Sequence, residues 1–438
     1  MAGSQPGFAL QRFLFFVAAI VIAVVAAFAF LQMTSTKQVP SDDLDFDSAD
    51  ESTIERGRYL ALAGNCASCH TSAEGEFMAG GVAFETPFGT IYSTNITPDA
   101  ETGIGDWTGG QFLTSMRRGV RPDGQHLYPA FPYTAFTKMS DADIVSLYAY
   151  LKSIPAIYQG AANNELAFPF NQRSLMSLWK AVFFDEGAFE PNESESQEWN
   201  RGAYLIEALA HCGACHTPRN ILGAEDSDKA MAGGEYQDKV PGGAMQTWSA
   251  PNLTSAANGL GLWPQAEVAA YLKNGINTFV ETFGPMNEVI MNSTRHLSES
   301  DVDAMAVYLK SLPAHEMPAG TAADDSVLGM GRTVYNLHCG TCHLPSGLGD
   351  EESAPQLAGG SLVVQASNPA SLINVILYSP ELPDPPLPTR RRKPMEEFQY
   401  LLTDAEIAAV ATYVRSNWGN SAGEVTAEQV ARQRSTAQ

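Results

Sequence analysis

The chain has 438 residues, 45% of them apolar and 17% charged. This composition is typical of a globular protein with about two to four domains. Acidic residues outnumber basic residues by 49 to 26, which gives a formal net charge of −23 at pH 7. A surface this acidic repels a phosphate backbone, so nucleic acid is excluded as a partner. We interpret the acidity itself as an ordinary solvated surface.

The N-terminal segment contains an unbroken apolar run from Phe13 to Leu31. As a helix this run spans about 28 Å, close to the hydrocarbon thickness of a bilayer. Arg12 precedes the run and predicts a cytoplasmic N-terminus, so the body is expected on the periplasmic side of the inner membrane. A cleaved signal peptide is the alternative, but the run is long for a signal core. We predict a membrane anchor over 1–33 and a flexible acidic linker over 34–52.

The six cysteines form three C-x-x-C pairs, and a histidine follows each pair. In chain order these residues are Cys66, Cys69 and His70; Cys212, Cys215 and His216; Cys339, Cys342 and His343. A disulfide framework does not explain the histidines, and a zinc site needs two pairs close together. In c-type haem attachment the two thiols bond covalently to the haem and the histidine becomes the proximal iron ligand. The sequence therefore predicts three covalently bound haem c groups.

The motifs lie in an internal repeat, in which a short helix leads into each C-x-x-C-H and another helix closes the unit. Each closing helix begins with a cap residue followed three positions later by an acid, which resembles a capping box. These pairs are Ser140 and Asp143, Ser298 and Asp301, and Thr403 and Glu406. Matching tyrosines follow at positions 150, 308 and 413, where we expect the two helices of each repeat to cross.

The repeat predicts an all-α fold, with three tandem cytochrome c-like domains after the N-terminal transmembrane helix. Their predicted bounds are 53–158, 199–317 and 325–420, with a connector over 159–198 and a tail over 421–438. Aromatic residues and leucines are frequent in the part of the connector from 168 to 189. We interpret this part as a helix over a domain junction, in preference to a docking surface for a partner.

An electron-transfer haem needs a second axial ligand, which is usually methionine. Met286 in the second domain and Met395 in the third follow prolines in loops before their closing helices, and we predict that they bind iron. The basic run 390–393 beside Met395 is either a solvated loop or a contact for haem propionates or anionic lipid. In the first domain, Phe131 occupies the corresponding loop and cannot bind iron.

Aligning the first two repeats offers a replacement ligand for the first haem. When Trp107 is placed on Trp263, Met116 falls opposite Leu272, so a methionine occurs in the copy whose loop lacks one. We predict that Met116 is the distal ligand. His126 is the alternative, and a five-coordinate haem stays open.

On these residues, the chain resembles the three-haem cytochrome c subunits of bacterial membrane-bound periplasmic dehydrogenases. The resemblance covers about 53–420 and includes the motifs TPFGTIYSTNITPDAETGIGDW, APNLT, GPM and WGN. It implies an electron-transfer subunit with no substrate-oxidising site of its own. Such a subunit accepts electrons from a catalytic dehydrogenase subunit and passes them to ubiquinone in the membrane.

Phe131 and the stretches EWNRGAYL and FPFNQRSLM are more similar to subunits that pair with molybdopterin and iron–sulfur hydroxylases. The resemblance therefore favours such a partner, with an iron–sulfur subunit, over a PQQ-dependent or flavin-dependent dehydrogenase. Two other functions stay open: a cytochrome c subunit of a terminal oxidase, and a multihaem peroxidase, which would need an open iron position with acid–base groups nearby.

Overall fold

The computed structural model describes residues 6–47, 50–240, 243–316, 320–380, 382–383 and 394–434. The basic run 390–393 lies outside these residues. Three repeated units follow an N-terminal helix, and we call them the first, second and third repeats. They correspond to residues 50–166, 196–316 and 320–434.

The N-terminal helix α1 runs over Pro6–Ser35, and its section Phe13–Ser35 is long and apolar enough to cross a membrane. None of this section is buried against the rest of the protein. The segment 36–47 then packs on the first repeat. The backbone N–H of Val39 donates to Thr114 Oγ1 at 3.0 Å, and the Phe46 ring meets the Tyr148 ring edge-on with centroids 5.5 Å apart. The predicted linker is thus fastened to the protein over these residues.

The first repeat and the connector contain six helices and three strands. They are α2 (Glu51–Ala63), α3 (Cys66–His70), β1 (Ala83–Thr86), β2 (Gly89–Tyr92), α4 (Gly109–Arg118), α5 (Tyr133–Phe136), α6 (Asp141–Ser153), β3 (Glu165–Leu166) and α7 (Met176–Phe183). A 3₁₀ turn, Arg173–Leu175, precedes α7. The strands form an antiparallel sheet in the order β1-β2-β3, and β3 lies within the predicted connector, 159–198.

The second repeat follows the same order with a longer hairpin. Its elements are α8 (Gln197–Tyr204), α9 (Gly213–His216), β4 (Gly234–Lys239), β5 (Met245–Ala250), α10 (Gln265–Asn274), α11 (Met286–Asn292) and α12 (Glu299–Ser311). A π-helical turn, Leu205–Leu209, joins α8 to the cysteine motif, and 3₁₀ turns occur at Ser227–Lys229, Leu260–Leu262 and Thr294–His296. The hairpin is antiparallel, with Gly234 opposite Ala250.

In the third repeat, the described residues form helices joined by loops, with no strand among them. Its helices are α13 (Asp325–Val334), α14 (Gly340–His343), α15 (Leu362–Gln365), α16 (Ala370–Tyr378), α17 (Asp404–Arg415) and α18 (Ala427–Arg434), with a π-helical turn at Tyr335–Cys339. Helices predominate in all three repeats, as predicted. The two sheets, however, mean that the all-α prediction is not confirmed. The strands are only two to six residues long, and strands this short leave little periodicity in a sequence.

In every repeat the first helix crosses the closing helix at a glycine. A Cβ on Gly57 or Gly202 would lie 1.9 Å from a backbone oxygen of α6 or α12, and one on Gly331 would lie 2.1 Å from the Ala409 oxygen of α17. The predicted tyrosines at positions 150, 308 and 413 flank the same contacts, with their Cβ atoms 2.7 to 2.9 Å from the hypothetical methyl groups. Only glycine lets two helices approach this closely.

The hydrophobic core is divided into two clusters. Buried residues of the first and second repeats form one continuous cluster, in which Leu60, Leu147, Leu205 and Leu309 take part. The third repeat forms a separate cluster, which also takes Trp248 from the hairpin of the second repeat. The first two repeats therefore fold around a shared interior, and we call them the repeat pair.

Candidate haem-binding sites

The three C-x-x-C-H motifs adopt the same local structure, a turn of helix that ends on the histidine. These turns are α3, α9 and α14. In the first two, the residue before the first cysteine has a left-handed backbone, with φ of 50° at Asn65 and 39° at His211. All six cysteines are free of disulfide bonds. Both thiols of the first motif lie on α3, whereas in the other two motifs the first cysteine directly precedes the helix and the second lies on it. In each motif the histidine is the last residue of the helix.

Each of the three histidines has its Nδ1 atom within hydrogen-bonding distance of a backbone carbonyl. The distances are 2.7 Å from His70 to Thr94, 2.8 Å from His216 to Pro251 and 3.0 Å from His343 to Pro355. A carbonyl oxygen can only accept, so Nδ1 carries the proton and the ring lone pair is on Nε2. This hydrogen bond fixes the tautomer and the ring orientation that an axial iron ligand requires.

Burial keeps these groups uncharged. It lowers the pKa of His70 and of His216, although the carbonyl hydrogen bonds partly oppose the change. Burial also raises the pKa of Cys66 and of Cys212 to about 12. Thiols in this environment stay protonated at neutral pH, unlike the thiolates of redox-active pairs. Among the described residues no cluster of three or more His, Cys, Asp or Glu side chains suits a metal ion, so a zinc site finds no support there.

The loop after each motif is held in the same way in the repeat pair. The backbone N–H of Met78 donates to Thr71 Oγ1 at 3.1 Å, and that of Met231 donates to Thr217 Oγ1 at 3.0 Å. Both methionines are buried and have a φ of 60°. Residues in such strained conformations persist only where the surrounding structure holds them, so the first two repeats share the same fixed loop after the cysteine motif. Sequence reasoning missed both positions, although the shared Met-Ala-Gly-Gly was visible.

Sequence reasoning also missed two asparagines, Asn95 and Asn252, which fix the backbone beside the carbonyl partners of His70 and His216. Asn95 accepts from the backbone N–H of Thr97 at 2.9 Å, and its amide donates to the Ile157 carbonyl at 2.7 Å. Asn252 repeats the arrangement, accepting from the N–H of Thr254 at 2.8 Å and donating to the His315 carbonyl at 2.9 Å. Each asparagine directly follows the residue whose carbonyl binds the histidine. The motif Asn-x-Thr was the available signal.

Met286 and Met395 are both half-buried. Met286 is the first residue of α11, directly after Pro285. Met395 packs against the core of the third repeat. In the first repeat, Phe131 packs against the core with its ring 5.4 Å from that of Phe136. The loop that presents methionine elsewhere thus presents an aromatic side chain there.

Met116 is buried, 4% exposed, near the end of α4, and Leu272 has the matching place in α10. Both helices end in a left-handed glycine, Gly119 and Gly275, which supports the alignment of the two repeats.

His126 is also buried, but its ring faces α1 and α7. Its Nε2 lies 3.2 Å from Gln32 Oε1, and its Nδ1 lies 3.1 Å from Lys180 Nζ. Burial and the nearby ammonium of Lys180 lower the pKa of His126 to about 4. Both nitrogens of His126 are therefore engaged by the connector and the N-terminal helix.

The cysteine-motif helix α3 of the first repeat touches helix α11 of the second repeat. Asn292, at the end of the helix that Met286 begins, donates to Ser68 Oγ at 2.8 Å, inside the first motif. The thiols of Cys69 and Cys215 lie near enough for the charge of one to raise the pKa of the other. The first two sites are thus direct neighbours.

The hairpin of the second repeat connects its site to the third repeat. Ser249 and Ser371 exchange hydrogen bonds across this boundary, at 2.8 to 3.2 Å, and Trp263 Nε1 donates to the Gly360 carbonyl at 2.6 Å. Trp248 is 3% exposed, and its indole N–H has no hydrogen-bond partner among the described residues. A buried orphan donor close to Gly284, near a predicted ligand loop, fits a site whose acceptor is a haem propionate.

The comparisons with known proteins agree with this geometry. The sequence profile of the cytochrome c family matches residues 54–155, 200–313 and 330–418. The chain therefore belongs to the cytochrome c family, whose members bind haem c covalently.

More narrowly, it is similar to cytochrome c subunits of membrane-bound dehydrogenases. It is 36% identical to the fructose dehydrogenase cytochrome subunit of Gluconobacter japonicus, covering 87% of this chain and 83% of that one. It is 37% identical to the gluconate 2-dehydrogenase cytochrome c subunit of Pantoea cypripedii, covering 88% and 90%. It is also 42% identical to a nicotinate dehydrogenase subunit of Pseudomonas putida, covering 83% of this chain but 30% of that longer protein.

The chain is thus an electron-transfer cytochrome subunit. A bound haem c supplies a one-electron carrier, because its iron alternates between the ferric and ferrous states. The cysteines would hold such a haem covalently, the histidine fixed through Nδ1 would bind its iron, and the surrounding apolar side chains would limit the access of water. Those side chains control the dielectric constant and therefore the reduction potential.

Proposed function

We propose that the chain carries three haem c groups and relays electrons from a catalytic dehydrogenase subunit to ubiquinone. It would work at the periplasmic side of the inner membrane, held there by α1. The observation that carries the proposal is the threefold recurrence of a histidine fixed through Nδ1 behind a cysteine pair. The contact between the first two motifs and the hairpin to the third support a continuous relay.

The haem count is tested by the pyridine haemochrome assay on the denatured, purified chain. We expect three haems per polypeptide, and two after both cysteines of any one motif are changed to alanine. A native protein with two haems would contradict the proposal. A ferrous low-spin spectrum without a high-spin component would argue against the peroxidase alternative. Co-purification with an oxidase would favour the alternative of a terminal-oxidase cytochrome c subunit.

The distal ligands that we propose are Met116, Met286 and Met395. For the first haem, Met116 is favoured over His126 because both ring nitrogens of His126 contact α1 and α7. Met116→Ala should convert one haem to the high-spin form and leave the other two low-spin, as read by magnetic circular dichroism. His126→Ala should leave all three low-spin. The matched control is Leu272→Ala, at the equivalent position, and the reverse result for Met116 and His126 would reject the assignment.

For the catalytic partner, we propose a molybdopterin and iron–sulfur dehydrogenase. Nicotinate is an N-heterocycle, and the relative named for its oxidation is 42% identical to this chain, against 36 to 37% for the subunits named for fructose, gluconate or alcohol. Phe131 points to the same branch. Purification of the chain with its partner, followed by metal analysis, tests this: molybdenum is expected, and PQQ or flavin without molybdenum would contradict it.

A further inference from the structure

The helix α7 has the reverse of the usual pattern for a helix on the surface of a soluble protein. Its buried side chains are Ser177 and Lys180, whereas Leu178 and Val182 are 43% and 72% exposed. A helix in contact with water normally buries its apolar residues and exposes its polar ones. Apolar residues on the outside indicate that this face meets an apolar environment.

The buried face of α7 is held by polar contacts. Lys180 Nζ contacts the carbonyl oxygens of Arg118 and Gly119, the latter at 3.0 Å, and lies 4.6 Å from the ring centre of Tyr133. Burial lowers the pKa of Lys180 to about 7. The helix is therefore fixed in this orientation on the first repeat, and the exposure of its apolar face is a property of the fold.

Further exposed apolar side chains continue the face of α7. Ile221 and Leu222 are 93% and 48% exposed, and the Leu222 carbonyl accepts from Trp179 Nε1 of α7 at 3.0 Å. Phe168 and Phe170, in the chain leading to α7, are 80% and 40% exposed. We call these six residues, together with α7, the connector face: Phe168, Phe170, Leu178, Val182, Ile221 and Leu222. A continuous apolar surface of this kind marks an interaction site.

The connector face adjoins the end of the candidate membrane span. The Gln32 side chain, in the last turn of α1, donates to the Ser174 carbonyl, two residues before α7 begins. Basic residues lie near this point in a protein whose net charge is −23. Arg118 donates to the Lys37 carbonyl at 2.9 Å and also pairs with Glu186. Arg173 donates at 2.9 Å to the carbonyl of His126, whose ring contacts Gln32. The apolar residues thus lie where α1 leaves a bilayer, beside cations that suit anionic headgroups.

We propose that the connector face lies in the membrane interface and forms a second membrane contact beside α1. Its occupant is the lipid bilayer, because the face continues the span and carries positive charge at its rim. Interfacial helices insert their apolar side chains to about the boundary between headgroups and acyl chains. The first repeat is thereby held against the bilayer surface, and a catalytic subunit docks elsewhere.

The test uses the full chain with its haems, in nanodiscs of phosphatidylethanolamine and phosphatidylglycerol. Thioether bonds to haem consume the native cysteines, so Ile221→Cys and Val182→Cys each supply one reactive thiol for a nitroxide label. Both positions are largely exposed, so folding should be retained. Tyr400→Cys, in the third repeat and 87% exposed, is the matched control.

For labels at positions 221 and 182, we expect collisions with oxygen to be favoured several-fold over collisions with a water-soluble nickel chelate, relative to position 400. Equal accessibility at all three positions would overturn the proposal. So would protection at 221 that arises only when the catalytic subunit is added, since a protein would then be the occupant. Labelling of the unsubstituted chain would show that some native cysteines carry no haem, which would contradict the proposed function. In that case the native thiols are blocked first and the accessibility test is repeated, so the membrane contact is still decided separately.

Discussion

In the repeat pair, the carboxylate three residues after each cap joins the two repeats, whereas in the third repeat it caps its own helix. Asp143 accepts from Arg56 of its own repeat at 2.7 Å and from Tyr204 of the second repeat at 2.5 Å. Asp301 accepts from Arg201 of its own repeat at 2.8 and 2.6 Å and from Tyr59 of the first repeat at 2.7 Å. The two halves of this contact are reciprocal, as in a symmetric dimer.

The third repeat lacks the residues for such a contact. Alignment of its crossing glycine, Gly331, with those of the pair places Met330 at the arginine position and Thr333 at the tyrosine position. Glu406 instead accepts from the backbone N–H of Thr403 at 2.9 Å and completes a capping box. The carboxylates therefore bond the first two repeats to each other, whereas the third repeat contacts the second through the hairpin and Trp263. We expect the first two repeats to unfold as one unit.

The largest expected effect comes from filling a crossing glycine. Gly202→Ala would place a methyl group 1.9 Å from the Ala304 oxygen, and overpacking of this kind costs about 3 kcal/mol of unfolding free energy. Gly331→Ala should cost a similar amount. Calorimetry of the haem-loaded chain should show the first variant shifting the transition of the repeat pair and the second shifting that of the third repeat.

The control for the glycine variants is Gly329→Ala, on the same helix as Gly331. Nothing lies within 4 Å of the added methyl group, so this variant should be neutral or slightly stabilising. A single transition that both Gly202→Ala and Gly331→Ala shift would mean that the two cores unfold together.

Removing the shared carboxylate should have the next largest effect. Asp301→Asn loses charge-assisted hydrogen bonds from Arg201 and Tyr59 at a site that is 8% exposed, and we expect a loss of about 2 to 3 kcal/mol. Glu406→Gln, the matched change in the exposed capping box, should cost about 1 kcal/mol or less. Chemical denaturation followed at the Soret band measures both. Equal losses would remove the distinction between the two regions.

The stability of the pair should also depend on acid. Burial alone would raise the pKa of Asp301, but the hydrogen bonds from Arg201 and Tyr59 outweigh it and hold the pKa below its ordinary value of 3.8. A carboxyl whose folded pKa is depressed stabilises the fold above the unfolded pKa, and this contribution is lost as the pH falls through the folded pKa. The difference in unfolding free energy between native protein and Asp301→Asn should therefore be constant near neutral pH and shrink below about pH 4. A difference that persists undiminished into stronger acid would contradict this.

The smallest effect should come from the bridging hydroxyls. Tyr59→Phe and Tyr204→Phe each remove two hydrogen bonds between the repeats, because each hydroxyl donates to the carboxylate and accepts from the backbone N–H of Ser298 or Ser140. We expect each change to cost about 1 to 2 kcal/mol. The third repeat has Thr333 at this position, so the control there is a different tyrosine, Tyr413→Phe. The Tyr413 hydroxyl has no hydrogen-bond partner among the described residues, and its loss should be nearly neutral. Denaturation midpoints compare the three. If Tyr413→Phe lowers the unfolding free energy as much as the other two changes, then the hydroxyls do not act through the hydrogen bonds between the first two repeats.

The local features were predictable from sequence because their signals are local. Cysteine spacing identifies the attachment motifs, and Ser140, Ser298 and Thr403 cap their helices as predicted. The capping boxes were predicted three times, yet only Thr403 and Glu406 form one with both hydrogen bonds. At the other two positions the acid is drawn to an arginine and a tyrosine instead.

What could not be predicted depends on residues far apart in the chain. Tyr59 and Asp301 are separated by 242 positions, and nothing near either residue marks the other as its partner. The shared core of the first two repeats has the same origin, since each repeat alone carries the pattern of a complete helical domain. The hairpin β4–β5 was missed because its strands are short and one alternates only between half-buried and exposed residues.

The fastening of residues 36–47 to the first repeat has a mechanical consequence. A flexible linker would let the repeats rotate freely relative to α1. A segment packed on the first repeat instead couples a tilt of α1 to a tilt of the repeats. This segment ends beside Tyr148, which lies in α6, the helix that closes the first repeat. The orientation of the first repeat, and of the second repeat bonded to it, is therefore coupled to the orientation of α1.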